Sequence, residues 1–266
     1  MSYMDKCVLI TGVSGGVGLT TATTFINAGY KVYGLDIKEP ETKLEGLEFI
    51  KTDLTKLEEV ESAFNKVKDQ LDYIINTAGI YDLNSLIEIS EEEFIRIFNI
   101  NVFSIYRVNK TFLPLLKEKG RIIMVSSELA PLDPLPFTGL YAITKSTIEK
   151  YAYSLRMELQ LLGYKVILIR PGAIDTGLIE VSTNKLDKFV ENTEHYQCNA
   201  ERFKNIVNSV ESKKVPPVKI ANLIYKASQK KRPKYVYKIN RNKGLLILNM
   251  LPKSWQHRII KKILEK

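Results

Sequence analysis

The sequence predicts one α/β domain, a doubly wound parallel sheet of about seven strands with helices on both faces, over residues 1–266. Three observations predict it. Short β-branched runs alternate with longer amphipathic stretches, the pattern of successive βαβ units. The first strand-like run leads directly into a glycine-rich turn and then a helical stretch. Finally, 266 residues that are 45% apolar can fill one large core, whereas two domains would each be small.

The candidate strands are Lys6–Thr11, Lys31–Asp36, Glu48–Thr52, Leu71–Asn76, Gly120–Ser126, Tyr164–Arg170 and Tyr235–Tyr237. Between them Gly18–Ala28, Leu57–Asp69, Glu91–Leu116 and Tyr141–Leu162 have helical periodicity. Ser90 and the three glutamates after it form an N-terminal cap, and Pro114 should end or bend the helix that they start. Residues 178–217 are polar and weakly periodic, and such a length inside a compact domain reads as a substrate lid. Residues 230–266 form a basic, amphipathic C-terminal extension.

Charge and cysteine content narrow the classes. From Lys213 onward there are 16 Lys and Arg and one acid, Glu265, while the preceding 212 residues hold 23 basic and 29 acidic groups. A basic tail on an acidic body differs from a uniformly basic nucleic-acid binder, and its basic residues lie among aliphatic ones, so no nucleic-acid partner is expected. Cys7 and Cys198 fit neither a disulfide framework nor a metal-ligand spacing, so no metal is expected. There is no signal-peptide-like stretch and no apolar run of bilayer-spanning length, which points to the cytoplasm.

The turn reads Thr11-Gly12-Val13-Ser14-Gly15-Gly16-Val17-Gly18. Gly12 permits a tight turn, Gly16 lets a pyrophosphate approach the backbone, and Gly18 lets the helix pack on the sheet. The N–H groups and dipole of the helix N-terminus suit phosphates. Asp36, at the end of the second strand, is placed to bond the adenosine ribose hydroxyls and to repel a 2′-phosphate, which favours NAD over NADP; Lys38 works against that preference. Asp53 can contact the adenine amino group, and Asn76-Thr77-Ala78-Gly79 can line the same pocket; either can equally cap a turn.

Tyr141 and Lys145 lie four residues apart near a helix start, which puts both side chains on one face. An ammonium beside a phenol stabilises the phenolate and fits the tyrosine for proton transfer. With Asn101, Ser126-Ser127, Asn76-x-Ala78-Gly79 and Arg170-Pro171-Gly172 followed by Thr176, these residues resemble the short-chain dehydrogenase/reductase family in order and spacing over roughly the first 180 residues.

The resemblance implies an NAD(P)-dependent oxidoreductase acting on CH–OH groups. It gives Ser127 the task of orienting the substrate oxygen, with Ser126 one residue away as the other choice. Tyr141 becomes the acid/base and Asn101 the support of a water-mediated proton path. Lys145 holds the ribose hydroxyls and lowers the tyrosine's pKa. The cofactor set is Gly12, Ser14, Gly16, Val17, Gly18, Asp36, Asp53, Leu54, Asn76, Ala78, Gly79, Tyr141, Lys145, Pro171, Gly172 and Thr176, with Pro171-Gly172 bordering the nicotinamide and Thr176 bonding its carboxamide.

Pro131, Pro134 and Pro136 stiffen the stretch between Ser127 and Tyr141, and its acids Glu128 and Asp133 are expected to face solvent. Leu132, Leu135, Phe137, Ile174 and Leu178 are the expected pocket lining, suited to a lipophilic alcohol or ketone. The tail is similar to the hydroxysteroid/retinol dehydrogenase branch in Arg232-Pro233-x-Tyr235 and the Leu251-Pro252 turn. It is expected to pack on the body or on a partner subunit, the alternative being contact with an anionic membrane. Helices Glu91–Leu116 and Tyr141–Leu162 resemble those that pair subunits in the family, so a homodimer or homotetramer is expected. Two other functions compete: reduction of acyl thioester-linked ketones, and non-catalytic sensing of NAD.

Overall fold

A computed structural model describes residues 6–175, 186–211 and 214–265. Strands β1 (Cys7–Thr11), β2 (Lys31–Asp36), β3 (Leu47–Lys51), β4 (Leu71–Asn76), β5 (Leu116–Val125), β6 (Lys165–Pro171) and β7 (Val236–Ile239) form one sheet in the order β3-β2-β1-β4-β5-β6-β7, every pairing parallel. The helices are α1 (Gly16–Asn27), α2 (Leu57–Lys66), α3 (Glu91–Phe98), α4 (Ser104–Phe112), α5 (Gly139–Leu159), α6 (186–192), α7 (Gln197–Glu211), α8 (Pro217–Gln229), α9 (Lys243–Met250) and α10 (Lys253–Leu264). The chain winds outward from β1 to β3 and returns to β4 beside β1. This makes the C-terminal ends of β1 and β4 the switch point, where open α/β sheets bind ligands.

Alternation along the strands sends side chains into two cores. Leu9, Ile74, Ile122 and Val166 pack with α2, α4 and α5 on one face, while Ile10, Ile75, Ile123 and Ile167 pack with α1 and α8 on the other. Both faces are covered, so the strands read as continuous apolar runs. Among the described residues no helix is long and apolar enough to cross a membrane.

The stretch expected as one helix from Glu91 is capped by Ser90, whose Oγ accepts the Glu93 N–H at 3.2 Å. Residues Asn99–Phe103 then widen into a π-turn between α3 and α4, and Pro114 sits in the 3₁₀ turn Leu113–Leu115 that ends the run. Strand β5 starts four residues earlier than expected because Leu116 pairs with Leu71 before a bulge, after which Arg121 pairs with Tyr73.

The expected lid is partly built of α6 and α7. Leu186, Phe189, Ala200 and Phe203 bury against Leu83 and against Leu264 of α10 in a third apolar cluster, beyond the sheet. The Phe137 ring packs on Phe189, Tyr196 and Phe203 at centroid distances of 4.9, 5.3 and 5.4 Å. Thus α10 folds back on the body, as expected for the tail. Thr176 and Leu178 lie outside the described residues.

Candidate active site

Helix α5 begins two residues before Tyr141, so Tyr141 and Lys145 share its first turns and one face. The Lys145 Nζ lies 5.6 Å from the Tyr141 ring centroid and donates to the Val125 carbonyl oxygen at 3.2 Å. Ser127, just after β5, lies near enough to the Tyr141 phenol to act on its titration, and its Oγ accepts the Leu129 N–H at 3.2 Å. Ser126 points elsewhere: its Oγ donates to Glu149 Oε1 at 2.9 Å, and Glu149 pairs with Arg170 at 2.6 and 2.5 Å. The serine doublet is thereby resolved in favour of Ser127 as the neighbour of Tyr141.

Burial dominates the titration of both groups. It pushes the Tyr141 phenol up to about 12, with only Ser127 acting in the opposite sense. It pushes the Lys145 ammonium down to about 8. The expected lowering of the tyrosine by the lysine is therefore not found among the protein's own groups, where burial raises the phenol and Ser127 alone acts against it. The phenol is held as a proton donor at neutral pH.

Asn101 sits in the π-turn and is fully buried. Its Oδ1 accepts the Ile80 N–H at 2.8 Å, and its Nδ2 donates to the Ile80 carbonyl at 3.0 Å and to Thr144 Oγ1 at 3.2 Å. A Cβ on Gly79 would stand 3.2 Å from Asn101 Oδ1 and 3.5 Å from Lys145 Nζ, so the bare glycine keeps a gap between them. Sequence reasoning missed Tyr81, whose ring meets that of Tyr141 edge-on at 4.6 Å. It also missed Thr144, for which the helical spacing to Tyr141 and Asn101 gave no separate signal.

At the switch point Gly12 has φ +76°, and a Cβ there would stand 2.9 Å from the Ala78 backbone. A Cβ on Gly18 would collide with the Gly12 carbonyl oxygen. Thr77 closes the turn by donating to the Thr11 carbonyl, and Thr11 Oγ1 accepts from the Thr77 and Ala78 N–H groups at 3.2 Å each. The N-terminus of α1, with Gly16 and Val17 as its first residues, carries no side-chain cap. Its donors are thus available to an anion. Asp36 is held beside this turn, Oδ2 accepting the Ser14 N–H at 2.9 Å and Oδ1 the Ile37 N–H at 2.7 Å; Ser14 Oγ donates to the Lys38 carbonyl.

Other expected contacts are corrected. Asp53 makes a local turn, its Oδ1 accepting from Thr55 N and Oγ1 at 2.9 and 2.7 Å. The Leu54 side chain is buried in the core, and Asn76 turns inward to donate to Asn109 Oδ1 at 2.8 Å, so each can meet a ligand only through its backbone. Ile174 packs against Val215 in the second core instead of lining a pocket. Glu128 does not face solvent: it is 6% exposed. Asp133 is half-exposed and paired with Lys253. At the end of β6, Glu128 N–H donates to the Pro171 carbonyl at 2.8 Å and Gly172 N–H to the Ile239 carbonyl at 2.9 Å.

Residues 6–187 match the family model described as short chain dehydrogenase. The chain belongs to the short-chain dehydrogenase/reductase family. Relatives include a 3-ketodihydrosphingosine reductase of Bacteroides thetaiotaomicron, 27% identical over 94% of this chain and 91% of that protein. The oxidoreductase YbbO of Escherichia coli is 35% identical over 71% and 74%, and mouse estradiol 17-beta-dehydrogenase 2 is 33% identical over 65% and 49%. A Burkholderia cenocepacia short-chain dehydrogenase solved with NADP has the same fold, with a TM-score of 0.73, 19% identity and full coverage of both chains.

As a short-chain dehydrogenase/reductase the chain is an oxidoreductase of CH–OH groups that uses NAD or NADP. The glycine cradle, which a Cβ would fill, and the uncapped α1 terminus fit such a dinucleotide. When bound, the nicotinamide supplies or takes the hydride.

Proposed function

We propose that this short-chain dehydrogenase/reductase interconverts a lipophilic secondary alcohol and its ketone, with NAD(H) as its dinucleotide. The observation that carries the substrate class is a mostly apolar groove of about 620 Å³, lined by Leu86, Leu135, Phe137, Gly139, Ile260 and Leu264 together with His257, Lys261 and Glu265. Two of the four apolar residues expected there and described, Leu135 and Phe137, line it. Two relatives bear the names of enzymes of lipophilic substrates, a ketodihydrosphingosine and a steroid.

In the direction of reduction, Ser127 holds the substrate oxygen and Tyr141 gives it a proton. The Lys145 ammonium returns a proton to the tyrosine through a water, and Asn101, on the other side of the Gly79 gap, supports that path. Asp36 favours NAD, since its carboxylate beside the Ser14 N–H would repel a 2′-phosphate. Thr176 stays with its expected role at the carboxamide.

Two assembly readings accompany this one. Phe103 and Tyr106 of the α3–α4 stretch and Ile143, Tyr153 and Met157 of α5 are exposed, which favours pairing of subunits through these helices. Met250 and Ile247 are 84% and 63% exposed on α9, amid the basic tail, which favours peripheral contact with an anionic membrane from the cytoplasm.

The test is dinucleotide absorbance with NADH and, in parallel, NADPH against steroid, retinoid, long-chain aliphatic and small polar ketones. Turnover with NADH that improves with substrate hydrophobicity is expected. Turnover of small polar ketones alone, or with NADPH alone, would overturn the reading.

A further inference from the structure

Beside Ser127 lies a buried carboxylate that the proton chemistry does not use. Glu128 is 6% exposed, and its Oε2 accepts the Asn242 N–H at 2.6 Å across 114 residues of sequence. Its own N–H reaches the Pro171 carbonyl at 2.8 Å. The segment around Asn242 grips the same turn from the other side. Gly172 N–H donates to the Ile239 carbonyl at 2.9 Å, and Asn240 Nδ2 donates to the Ala173 carbonyl at 2.9 Å. Gly172 is the hub of this contact: a Cβ there would collide with the Asn240 carbonyl oxygen and stand 2.9 Å from Glu128 Oε1.

The contact joins an acid to the start of a helix. Asn242 is the N-cap of α9, its Oδ1 accepting the Gly244 and Leu245 N–H groups at 2.9 and 3.2 Å, so Glu128 meets the positive end of a helix. Burial holds the Glu128 carboxyl above its ordinary range, with the Asn242 N–H and the Arg241 charge acting in the opposite sense. A second bond farther along the loop, from the Asp133 N–H to Asn249 Oδ1 at 2.7 Å, repeats the connection to α9.

We infer that Glu128 is a positioning residue: it bonds the Ser127 loop, the Pro171-Gly172 turn and the start of α9 into one piece, and so keeps the Ser127 hydroxyl on the Tyr141 phenol. The inference rests on the reading of Ser127 as the residue that holds the substrate oxygen. In this role Glu128 acts through the groups it bonds.

Three variants test it. Glu128→Ala should lower kcat about 10- to 100-fold, the size of effect a small misplacement of a reacting group produces, with the dinucleotide KM little changed. Glu128→Gln, which keeps an acceptor oxygen, should recover most of that loss. Asn242→Pro removes the N–H at a residue whose φ of −73° proline can adopt, and should act like Glu128→Ala, with no further loss in the double variant. Asn242→Ala, which keeps the N–H, controls for the cap.

Amide hydrogen exchange of the intact chain supplies a readout that needs no turnover. Glu128→Ala should speed exchange in both 127–133 and 239–242, and Glu128→Gln should not. Unchanged kcat and exchange in Glu128→Ala, or a Gln variant as impaired as the Ala variant, would overturn the inference. A wild-type protein inactive on every ketone, with the exchange pattern still as expected, would count against the substrate reading and leave the clamp standing.

Discussion

Ser127, at the end of β5, neighbours the Tyr141 phenol at the start of α5 and acts on its titration, whereas Ser126, one residue earlier, bonds Glu149. One residue of register thus separates a serine on the reacting side from one in an ion-pair network. Ser127→Ala should lower kcat by at least about tenfold, and Ser126→Ala should leave kcat within about threefold while lowering Tm by a few degrees. Equal kcat losses in steady-state assays would contradict the assignment.

Tyr141→Phe removes the proton donor and keeps the ring that packs on Tyr81. Turnover should fall by about 10²- to 10⁴-fold, with NADH binding by fluorescence titration nearly unchanged. A variant that retained a tenth of the activity would place the donor elsewhere.

Lys145 links activity and stability with opposite signs. Its folded pKa of about 8 lies below the ordinary 10.5, so the unfolded chain binds more protons between those values. The destabilisation is full below about pH 8 and fades as pH rises toward 10.5. Lys145→Met should therefore abolish turnover yet stabilise the fold at pH 7 by on the order of 1–3 kcal/mol, seen as a higher Tm, and the gain should shrink by pH 10. Thermal melts at the two pH values check the sign. Wild-type turnover should decline as pH rises through about 8, where the ammonium loses its proton.

Asp36→Ser takes away a carboxylate that accepts from the Ser14 and Ile37 N–H groups. With Lys38 close in sequence, the ratio of kcat/KM for NADH to that for NADPH should fall by about tenfold or more. An unchanged ratio would show that Asp36 is only a turn residue.

Ile260→Trp fills the groove from α10 without touching Tyr141. KM for long aliphatic ketones should rise about tenfold while that for short ones stays the same, an effect of the size expected from a few displaced methylenes. Equal effects on both would separate the groove from the substrate.

Much of this architecture was legible in the sequence because it obeys short periods. The βαβ alternation specifies a parallel sheet, and an i, i+4 pair on a helix must share a face, so Tyr141 and Lys145 needed no tertiary information. What stayed hidden depends on distant partners. Glu128 reads as a surface acid until Asn242 arrives to receive it, and Asn76 reads as a pocket residue until Asn109 claims its amide. The π-turn at Asn101 has no composition of its own. Helices α6 and α7 carry apolar residues at helical spacing, Leu186, Phe189 and Val190, then Ala200, Phe203 and Val207, but these are few amid polar residues, and only their contact with Phe137 and α10 makes them a unit.

The clamp between Glu128 and Asn242 also orders events in time. The core on the α2, α4 and α5 face comes from residues up to Leu168 and can gather before the last quarter of the protein is made, whereas the core on the other face waits for α8. The serine loop gains its anchor only when residues 239–249 emerge, and α7 gains the bond from Asn199 Nδ2 to the Leu264 carbonyl later still. A nascent chain should thus pack one face of its sheet well before it gains catalytic competence.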